Sequence, residues 1–367
     1  YSSSAAGKGA SKVVLESGDT LQEFAEAVQD FEATLPTLAS GTPATVVAAH
    51  PLGKIRVPVG ETLANGLQLN GQCLDGSGLG AVLKAAPAAP TVLRLGYVNT
   101  PGQWARKSIR DLVIDGNAKA SDGATYDAAA NDEIAGRWSF DGFVIKDCAK
   151  GVHKPFGNIG NSYRNGAFAG NDFGVYAVGQ ASPAMHAGCD TYEDVDFSGH
   201  ALAACYYDGN SINGSGGLMF GRNVTIQYNP GFGVYVKDWV TSYTPVVFDG
   251  TWFEGNATSP SVTIDGTAYT PKNIRLERVA QAVMCNSIVP SVELVASKLS
   301  IDNCVLISDF TSIEADAESV VTATNIAVDG GVHALEIQSI TRSSRESGNF
   351  AGAWWAPARN VFISDST

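Results

Sequence analysis

Several carboxylates close to a tryptophan are the residues of this sequence best suited to chemistry. They occur in the segments DTYEDVDF, TWFE and NIRLE, in the middle third of the chain. Cleavage of a glycosidic bond needs one protonated carboxylic acid for the leaving oxygen and a second carboxylate as base or nucleophile. An indole ring can stack on the apolar C–H face of a sugar. The candidate catalytic residues are therefore Asp194, Asp196, Glu254 and Glu277, and the candidate substrate contacts are Trp252, Arg275, Gln227, Tyr176, Tyr206 and Tyr235.

A recurring strand pattern must position these residues. From residue 109 onward, two apolar residues spaced two apart are followed by Asn, Asp or Gly. The second apolar residue of each occurrence is Ile114, Ile145, Phe168, Phe197, Ile226, Phe253, Leu276, Ile301 or Ile326. A second phrase, FGVY, follows Asp172 and returns after Gly231. Strand repeats of this period without intervening helices indicate a solenoid, and Asn or Gly can turn its corners because both tolerate a left-handed backbone.

The pattern predicts an all-β chain folded as a parallel β-helix, in which residues beside each inward marker face outward. Because coils stack about 4.8 Å apart, Glu254 and Glu277 should lie one coil apart, near the spacing of about 5 Å in a retaining glycosidase. Asp196 and Glu254 should lie two coils apart, roughly 10 Å, slightly beyond the inverting range before their side chains lean together. The sequence leaves both pairs open. Arg275 could also pair with Glu254 and Glu277 as a solvated ion ladder.

A second outward column is predicted from His153, Tyr176, Tyr206 and Tyr235, which share one register on successive coils. These rings could stabilise the sheet by cross-strand stacking, or they could form a strip that binds polysaccharide. Trp252 has a similar alternative, because it could lie under a loop or at a contact between subunits.

The bulk composition excludes several classes of partner. The net charge is −13, which argues against nucleic acid and against anionic membrane surfaces. No apolar run is long enough to span a bilayer, so no membrane insertion is expected. The six cysteines show no metal-binding spacing, and no metal or other cofactor is predicted.

Residues 53–85, GKIRVPVGETLANGLQLNGQCLDGSGLGAVLKA, resemble the opening coils of phage tailspikes with the pectin-lyase-like right-handed parallel β-helix, and LVIDGNA resembles a recurrent coil phrase of that family. The resemblance implies a right-handed coil and a homotrimeric adhesin and depolymerase on the virion tail, outside the cell. Its partner would be a bacterial capsule, O-antigen or exopolysaccharide. A secreted enzyme is the alternative. The resemblance transfers no catalytic residues, and the motifs of polygalacturonases and calcium pectate lyases are missing.

Three segments are expected along the chain. Residues 1–40 should hold an N-terminal segment with a short capping helix, residues 41–340 the β-helix, and residues 341–367 a cap or a contact between subunits. The first functional hypothesis is hydrolysis of a polysaccharide by paired carboxylates. The alternatives are a lyase using a base such as His186 or His200 with Tyr207 or Arg222, a glycan receptor-binding module without catalysis, and a purely structural fibre segment.

Overall fold

The computed structural model describes residues 54–69, 71–96, 107–127, 137–156, 160–181, 184–185, 187–210, 217–240, 245–307, 312–316, 318–329, 337–338 and 361–364. The predicted capping helix, within residues 1–40, lies outside the described residues. The predicted C-terminal segment, 341–367, lies outside them too, except for one strand at 361–364. Among the described residues every regular element is a strand, and no helix there could cross a membrane.

The strands follow each other in chain order. The first half of the chain contains β1 (Lys54–Val57), β2 (Gly60–Ala64), β3 (Leu67–Leu69), β4 (Cys73–Gly76), β5 (Ala81–Ala85), β6 (Thr91–Leu95), β7 (Lys107–Asp115), β8 (Asp122–Tyr126), β9 (Trp138–Lys146), β10 (Lys150–Lys154), β11 (Ser162–Ala169), β12 (Phe173–Val178), β13 (Gln180–Ala181) and β14 (Ala184–Met185). The second half contains β15 (Asp190–Ser198), β16 (Ala203–Asp208), β17 (Leu218–Phe220), β18 (Thr225–Gln227), β19 (Phe232–Lys237), β20 (Val246–Asp249), β21 (Trp252–Glu254), β22 (Val262–Ile264), β23 (Thr267–Tyr269), β24 (Ile274–Glu277), β25 (Ala282–Cys285), β26 (Ser291–Val295), β27 (Lys298–Asp302), β28 (Val305–Ile307), β29 (Ser312–Ala315), β30 (Val320–Thr324), β31 (Ala327–Asp329), β32 (Ile337–Gln338) and β33 (Val361–Ser364).

The strands build three long faces, which we call sheets 1, 2 and 3. Sheet 1 runs β1-β4-β7-β9-β11-β15-β17-β20-β25-β27-β30-β33, and sheet 3 runs β3-β6-β8-β10-β12-β16-β19-β24-β26-β29-β32. Sheet 2 is formed by β2, β5, the second halves of β7, β9, β11 and β15, then β18 and β21. All pairs within these faces are parallel. The chain is therefore a parallel β-helix, as the sequence pattern predicts, and its right-handed sense stays a prediction.

A single residue with a left-handed backbone makes the corner between sheets 1 and 2. On successive coils this residue is Asp111, Gly142, Asn165, Asp194, Asn223 or Gly250. Only Gly, Asn and Asp occupy this conformation at little cost. The corner therefore explains why the repeat places these residue types at fixed points of the coil.

The interior of the coil is apolar, as expected from the marker residues. Phe197 and Ile226 are fully buried and Phe253 is nearly so. On sheet 1 the inward rings of Phe140, Tyr163, Tyr192, Phe220 and Phe248 stack on one another, with centroids 4.8–5.1 Å apart. The two FGVY segments, 59 residues apart, lie two turns of the coil apart, because β12 pairs with β16 and β16 pairs with β19.

The markers keep one register only as far as Phe253. From Ile114 to Phe253 they stack in sheet 2, but Leu276 lies in sheet 3 on Val236 and Ile301 lies in sheet 1 on Met284. The physical reason is a change of coil length. The hairpin β22–β23 is inserted after β21, and the next coil is short, since Ile274 pairs with Val292 only 18 residues later. Leu276 and Ile301 remain buried. The apolar interior therefore continues, although these two residues stack in other sheets than the earlier markers.

Buried asparagines form a ladder at the corner between sheets 2 and 3. The side-chain amides of Asn171, Asn229 and Asn256 donate to the carbonyls of Ile145, Phe197 and Ile226 at 3.1, 3.2 and 2.7 Å. His200 occupies the rung between Asn171 and Asn229 and is fully buried. Among the described residues neither of its ring nitrogens has a hydrogen-bond partner. Burial lowers the pKa of His200 to about 3, so this rung holds a neutral imidazole.

We predict that the coil loses stability on acidification because of His200. In the unfolded chain the imidazole takes up a proton below pH 6.5, but the folded ring does so only near pH 3. The free energy of unfolding should therefore fall as the pH drops through this window, by at most about 1.4 kcal/mol per pH unit from this group. In His200→Asn, which restores the ladder residue, thermal melts between pH 7 and pH 5 should show a flatter decline. Parallel declines in the two proteins would contradict the prediction.

Candidate functional site

The outward face of sheet 2 carries the central group of predicted site residues. Asp196, Thr225 and Trp252 form one column on three successive coils, and Ser198, Gln227 and Glu254 form the next column. We call Asp196, Gln227, Trp252 and Glu254 the carboxylate face. Strand alternation places them outward because Phe197, Ile226 and Phe253 between them point into the core. The structure therefore brings four of the ten predicted residues together.

The surroundings of Asp196 suit a carboxylic acid that donates a proton. Gln227 Nε2 donates a hydrogen bond to its Oδ1 at 3.2 Å, and no salt bridge to it is present among the described residues. Partial burial raises the pKa of Asp196, although hydrogen bonds from Ser198, Gln227 and the Phe197 backbone act against that rise. A carboxyl group with a raised pKa can keep its proton until it is needed by a leaving group.

Glu254 is oriented by two neutral donors. Trp252 Nε1 donates to its Oε2 at 3.2 Å, and the Tyr228 hydroxyl donates to its Oε1 at 3.0 Å. This hydrogen bond raises the pKa of Tyr228. No Lys or Arg forms a salt bridge with Glu254 in the described part of the chain. The result is a fixed carboxylate without a cation, as suits a base or nucleophile.

The separation of Asp196 and Glu254 suits a carboxyl pair with water between. Two coil spacings of about 4.8 Å and two residues of strand put their Cα atoms roughly 12 Å apart. Both side chains point outward from the same face, and Gln227, the register neighbour of Glu254, reaches Asp196 with its amide. An inverting pair needs about 6.5–9.5 Å between its carboxyl groups, which leaning side chains can meet.

Trp252 and Tyr228 form an aromatic edge beside these carboxylates. Trp252 is 47% exposed and Tyr228 is 58% exposed. The sequence analysis missed Tyr228. It lies at the corner after β18 with a left-handed backbone, φ 53°, where strand alternation gives no direction for the side chain. The edge offers two rings to a sugar within reach of Glu254.

Asp194 lies off the carboxylate face. It is the left-handed corner residue between sheets 1 and 2, φ 54°, and its Oδ1 accepts a hydrogen bond from Asn223 Nδ2 at 2.7 Å. An earlier coil has a similar contact, in which the corner residue Asn165 donates to Asp141 at 2.8 Å. Because Asp194 is a corner residue outside the carboxylate face, we do not propose it as the catalytic acid or base.

The expected adjacency of Glu254 and Glu277 is wrong. Glu277 lies in sheet 3, paired in register with Lys237 and Val295, whereas Glu254 lies in sheet 2. The cause is the change of coil length after Phe253. Glu277 accepts a hydrogen bond from Tyr235 at 2.7 Å and binds Arg275 and Arg278. Burial alone would raise the pKa of Glu277, but these partners lower it. Arg275 pairs with Glu277, as one alternative proposed, but its second partner is Glu293 and not Glu254.

The expected tyrosine column exists, but it is covered. His153, Tyr176, Tyr206 and Tyr235 are register neighbours on sheet 3, so the register is confirmed. The hairpin β22–β23 packs Val262 and Ile264 against this surface, and its Asp265 accepts hydrogen bonds from Tyr176 and Tyr206. Tyr206 is 1% and Tyr235 0% exposed. These two rings therefore cannot contact a polysaccharide here, and the stacking interpretation fits them.

A polar cleft lies next to this hairpin on sheet 3. It has a volume of about 530 Å³ and is lined by Tyr269, Lys272, Arg275, Glu293 and Glu314 among others. Its charges are matched, because Lys272 binds Glu314 at 2.7 Å and Arg275 binds Glu293. The guanidinium of Arg275 also lies 5.2 Å from the Tyr269 ring centroid. Because each of these carboxylates is already bound to a cation, the cleft is a weaker catalytic candidate than the carboxylate face.

The candidate bases for an elimination reaction that lie in the described residues are buried. His200 and Tyr207 are both fully buried, and burial raises the pKa of Tyr207 far above its usual value. His186 lies outside the described residues. Within the described ranges no three His, Cys, Asp or Glu side chains are grouped to hold a metal ion.

Comparison with known proteins gives likenesses of structure only. No protein-family model matches the chain, and no curated protein matches it in sequence. The A-module of a mannuronan C-5 epimerase from Azotobacter vinelandii is 13% identical, with a TM-score of 0.59, over 92% of this chain and 99% of that one. The catalytic unit of a GH87 α-1,3-glucanase from Streptomyces thermodiastaticus is 11% identical, with a TM-score of 0.54, over 90% of this chain and 66% of that one.

Tailspike protein 3 of bacteriophage CBA120 is also among the similar structures. It is 11% identical to this chain, with a TM-score of 0.48, over 90% of this chain and 62% of its own. The chain shares its fold with the epimerase module and the glucanase catalytic unit. At these identities the likeness establishes the fold, and the parallel β-helix implied by the sequence resemblance is confirmed.

Proposed function

We propose that this chain is a phage tailspike-like depolymerase that binds and hydrolyses a bacterial surface or extracellular polysaccharide on the outward face of sheet 2. One observation carries the proposal. The exposed ring of Trp252 lies beside Glu254 and on the same face as Asp196, and no cation pairs with either carboxylate in the described structure. A large exposed aromatic ring next to free carboxylates is the arrangement that sugar binding and glycoside cleavage require.

The two carboxylates take different roles because their surroundings differ. Asp196, with its raised pKa, is the proton donor to the leaving oxygen. Glu254, held by Trp252 and Tyr228, is the base that activates water. Gln227 lies between them and positions Asp196. The two-coil spacing leaves room for a water molecule, so we propose inversion at the anomeric carbon.

Hydrolysis is favoured over β-elimination by the charges on this face. Elimination from a uronate polymer needs a cation that neutralises the sugar carboxylate, together with a base such as His, Lys or Tyr. No Lys or Arg contacts Asp196 or Glu254 in the described residues, and His200 and Tyr207 are buried. A polyuronate would also meet the repulsion of a chain with net charge −13. These features support a polymer of low charge as the substrate.

The structural neighbours add support for the substrate class. The epimerase is named for its action on mannuronan and the glucanase for its action on α-1,3-glucan. Both likenesses support a polysaccharide as the substrate class in this proposal. The resemblance to tailspikes extends the proposal to a homotrimer on the virion tail, with a secreted enzyme as the alternative.

A panel of purified bacterial capsular, O-antigen and exopolysaccharides tests the proposal. We expect at least one polymer of low charge to fall in size during incubation, with new reducing ends and no absorbance from an unsaturated uronate. Appearance of that absorbance would assign a lyase. Retention of a polymer in affinity electrophoresis without any fall in size would assign a receptor-binding module. No binding and no cleavage across the panel would leave the structural fibre segment.

A further inference from the structure

A cluster of polar side chains is buried inside the coil. It has no role in the proposed hydrolysis. Lys154 at the end of β10, Asn161 before β11 and Asp190 at the start of β15 are 0%, 1% and 0% exposed. Their surroundings are aromatic, with Trp138, Tyr192 and Tyr207 also buried. A lysine is almost never fully buried unless it is paired, so this interior position calls for an explanation.

Asp190 holds both of the other side chains. Lys154 Nζ donates to Asp190 Oδ2 at 2.6 Å, and Asn161 Nδ2 donates to Asp190 Oδ1 at 2.8 Å. The Asn161 carbonyl oxygen in turn accepts the backbone N–H of Trp138 at 3.2 Å. An amine and a side-chain amide are thus held on the two oxygens of one carboxylate, while a backbone donor polarises the amide carbonyl.

We propose that Lys154 and Asn161 join in an intramolecular isopeptide bond, with Asp190 as the proton carrier. Lys154 first gives a proton to Asp190, and its neutral Nζ attacks Cγ of Asn161. The Trp138 N–H stabilises the oxygen of the tetrahedral intermediate, as an oxyanion-hole donor does. The Cγ–Nδ2 bond breaks, Nδ2 takes a proton from Asp190 and leaves as ammonia, and the remaining Nζ proton passes to Asp190. The products are one amide, one ammonia and a protonated Asp190, so atoms and charge balance without any further reagent.

The dry interior favours each part of this reaction. Burial lowers the pKa of Lys154, although the charge of Asp190 opposes that change, and a neutral amine is the nucleophilic form. An ion pair in an apolar core carries a large desolvation cost. The reaction replaces that pair by a neutral amide and a neutral acid, and the ammonia escapes. Holding amine and amide on one carboxylate also lowers the entropic cost of their encounter.

Asn161 is the better acceptor because its carbonyl oxygen faces a backbone N–H, whereas Asp190 is an anion that receives donors on both oxygens. Tyr207 donates a third hydrogen bond to Asp190, at 2.7 Å to Oδ2. These contacts fix the Asp190 carboxylate between the two reacting side chains. The bond would close residues 154–161 into a covalent ring where the chain passes from sheet 3 to sheet 1.

The mass of the intact, denatured protein tests the proposal. We expect it to be lower than the sequence mass by one ammonia. Trypsin cuts after Lys150 and Arg164, so the peptide GVHKPFGNIGNSYR at 151–164 contains both residues. In its fragment spectrum, backbone cleavages between 154 and 161 should release no separate fragments. An unchanged mass, or the loss of one water instead, would overturn the assignment.

Two variants separate the bond from a succinimide, which also loses ammonia when an asparagine cyclises on its own backbone. Lys154→Arg should restore the full mass if the bond forms, but it would leave a succinimide in place. Asp190→Asn should also restore the full mass, because the proton carrier is gone. Asn158→Ala, in the same peptide, should retain the loss of ammonia. If Lys154→Arg still loses ammonia, the isopeptide bond is excluded, and the wild-type spectrum decides the matter even if a variant fails to fold.

Discussion

Asp196→Asn and Glu254→Gln should each abolish depolymerisation, while polysaccharide binding should survive. Loss of a positioned acid or base typically costs about 100-fold to 10,000-fold in rate, and both substitutions keep the shape of the side chain. Asp196→Asn cannot give a proton to the leaving oxygen. Glu254→Gln keeps one acceptor for Trp252 and Tyr228 but cannot take a proton from water. Initial rates of reducing-end formation measure turnover, and affinity electrophoresis on the same polymer measures binding.

The pH profile adds a readout that a merely structural role would not move. Because burial raises the pKa of Asp196, the protonated acid persists to a higher pH than for an exposed aspartate. The rate should fall as the pH rises through this pKa, and that limb should vanish from the residual activity of Asp196→Asn. Asp194→Asn is the matched control, since Asp194 lies nearby at the corner, and it should keep most of the activity. Full turnover in Glu254→Gln would exclude the proposed site.

The fold could be predicted from the sequence because the residues of its interior recur at regular spacing. Phe197, Ile226 and Phe253 recur at nearly constant spacing and are stacked as expected. The pattern fails at Leu276 because a hairpin lengthens one coil and the following coils are short. A spacing counted along the chain does not reveal how many residues leave the coil at a corner. A register extrapolated past an insertion therefore assigns the wrong sheet.

The outward placement of the candidate site residues was predicted only where strand alternation governs the side chains. Trp252, Gln227 and Glu254 face outward beside inward neighbours, as alternation requires. Tyr228 escaped because a corner residue has no alternation to follow. Tyr206 and Tyr235 were placed in the correct column, but a later hairpin covers them. Which surface a distant segment covers is decided by tertiary packing, and the local sequence carries little information about it.

The burial of Lys154 could in principle have been predicted from the sequence. Val152 points into the core, so the residue two positions later must also point inward, and that residue is a lysine. The partner could not be found in this way, because Asp190 lies 36 residues further along the chain. The pairing depends on the stacking of β10 and the start of β15 around one interior, which only the folded coil supplies.

Lys154→Met should destabilise the coil by about 3–5 kcal/mol relative to the ion-paired chain, the cost of leaving a buried charge without its partner, and the missing isopeptide bond should add to that loss. The methionine fills most of the volume of the lysine, so lost packing contributes little. Asp190 would keep the donors Asn161 and Tyr207, but its charge would have no cation in an apolar interior. The midpoint of thermal unfolding, followed by circular dichroism at a fixed heating rate, should fall by several degrees.

The double variant Lys154→Met/Asp190→Asn identifies the cause of that loss. Replacing a buried ion pair by neutral groups is often neutral or stabilising, whereas breaking it from one side is costly. The second substitution removes the orphan charge and should recover much of the midpoint. Both variants lack an isopeptide bond, so the difference between them reports the unpaired carboxylate alone, and the remaining gap to the wild type reports the covalent link. A double variant no more stable than Lys154→Met would show that the charge of Asp190 carries no cost, and the electrostatic explanation would be wrong.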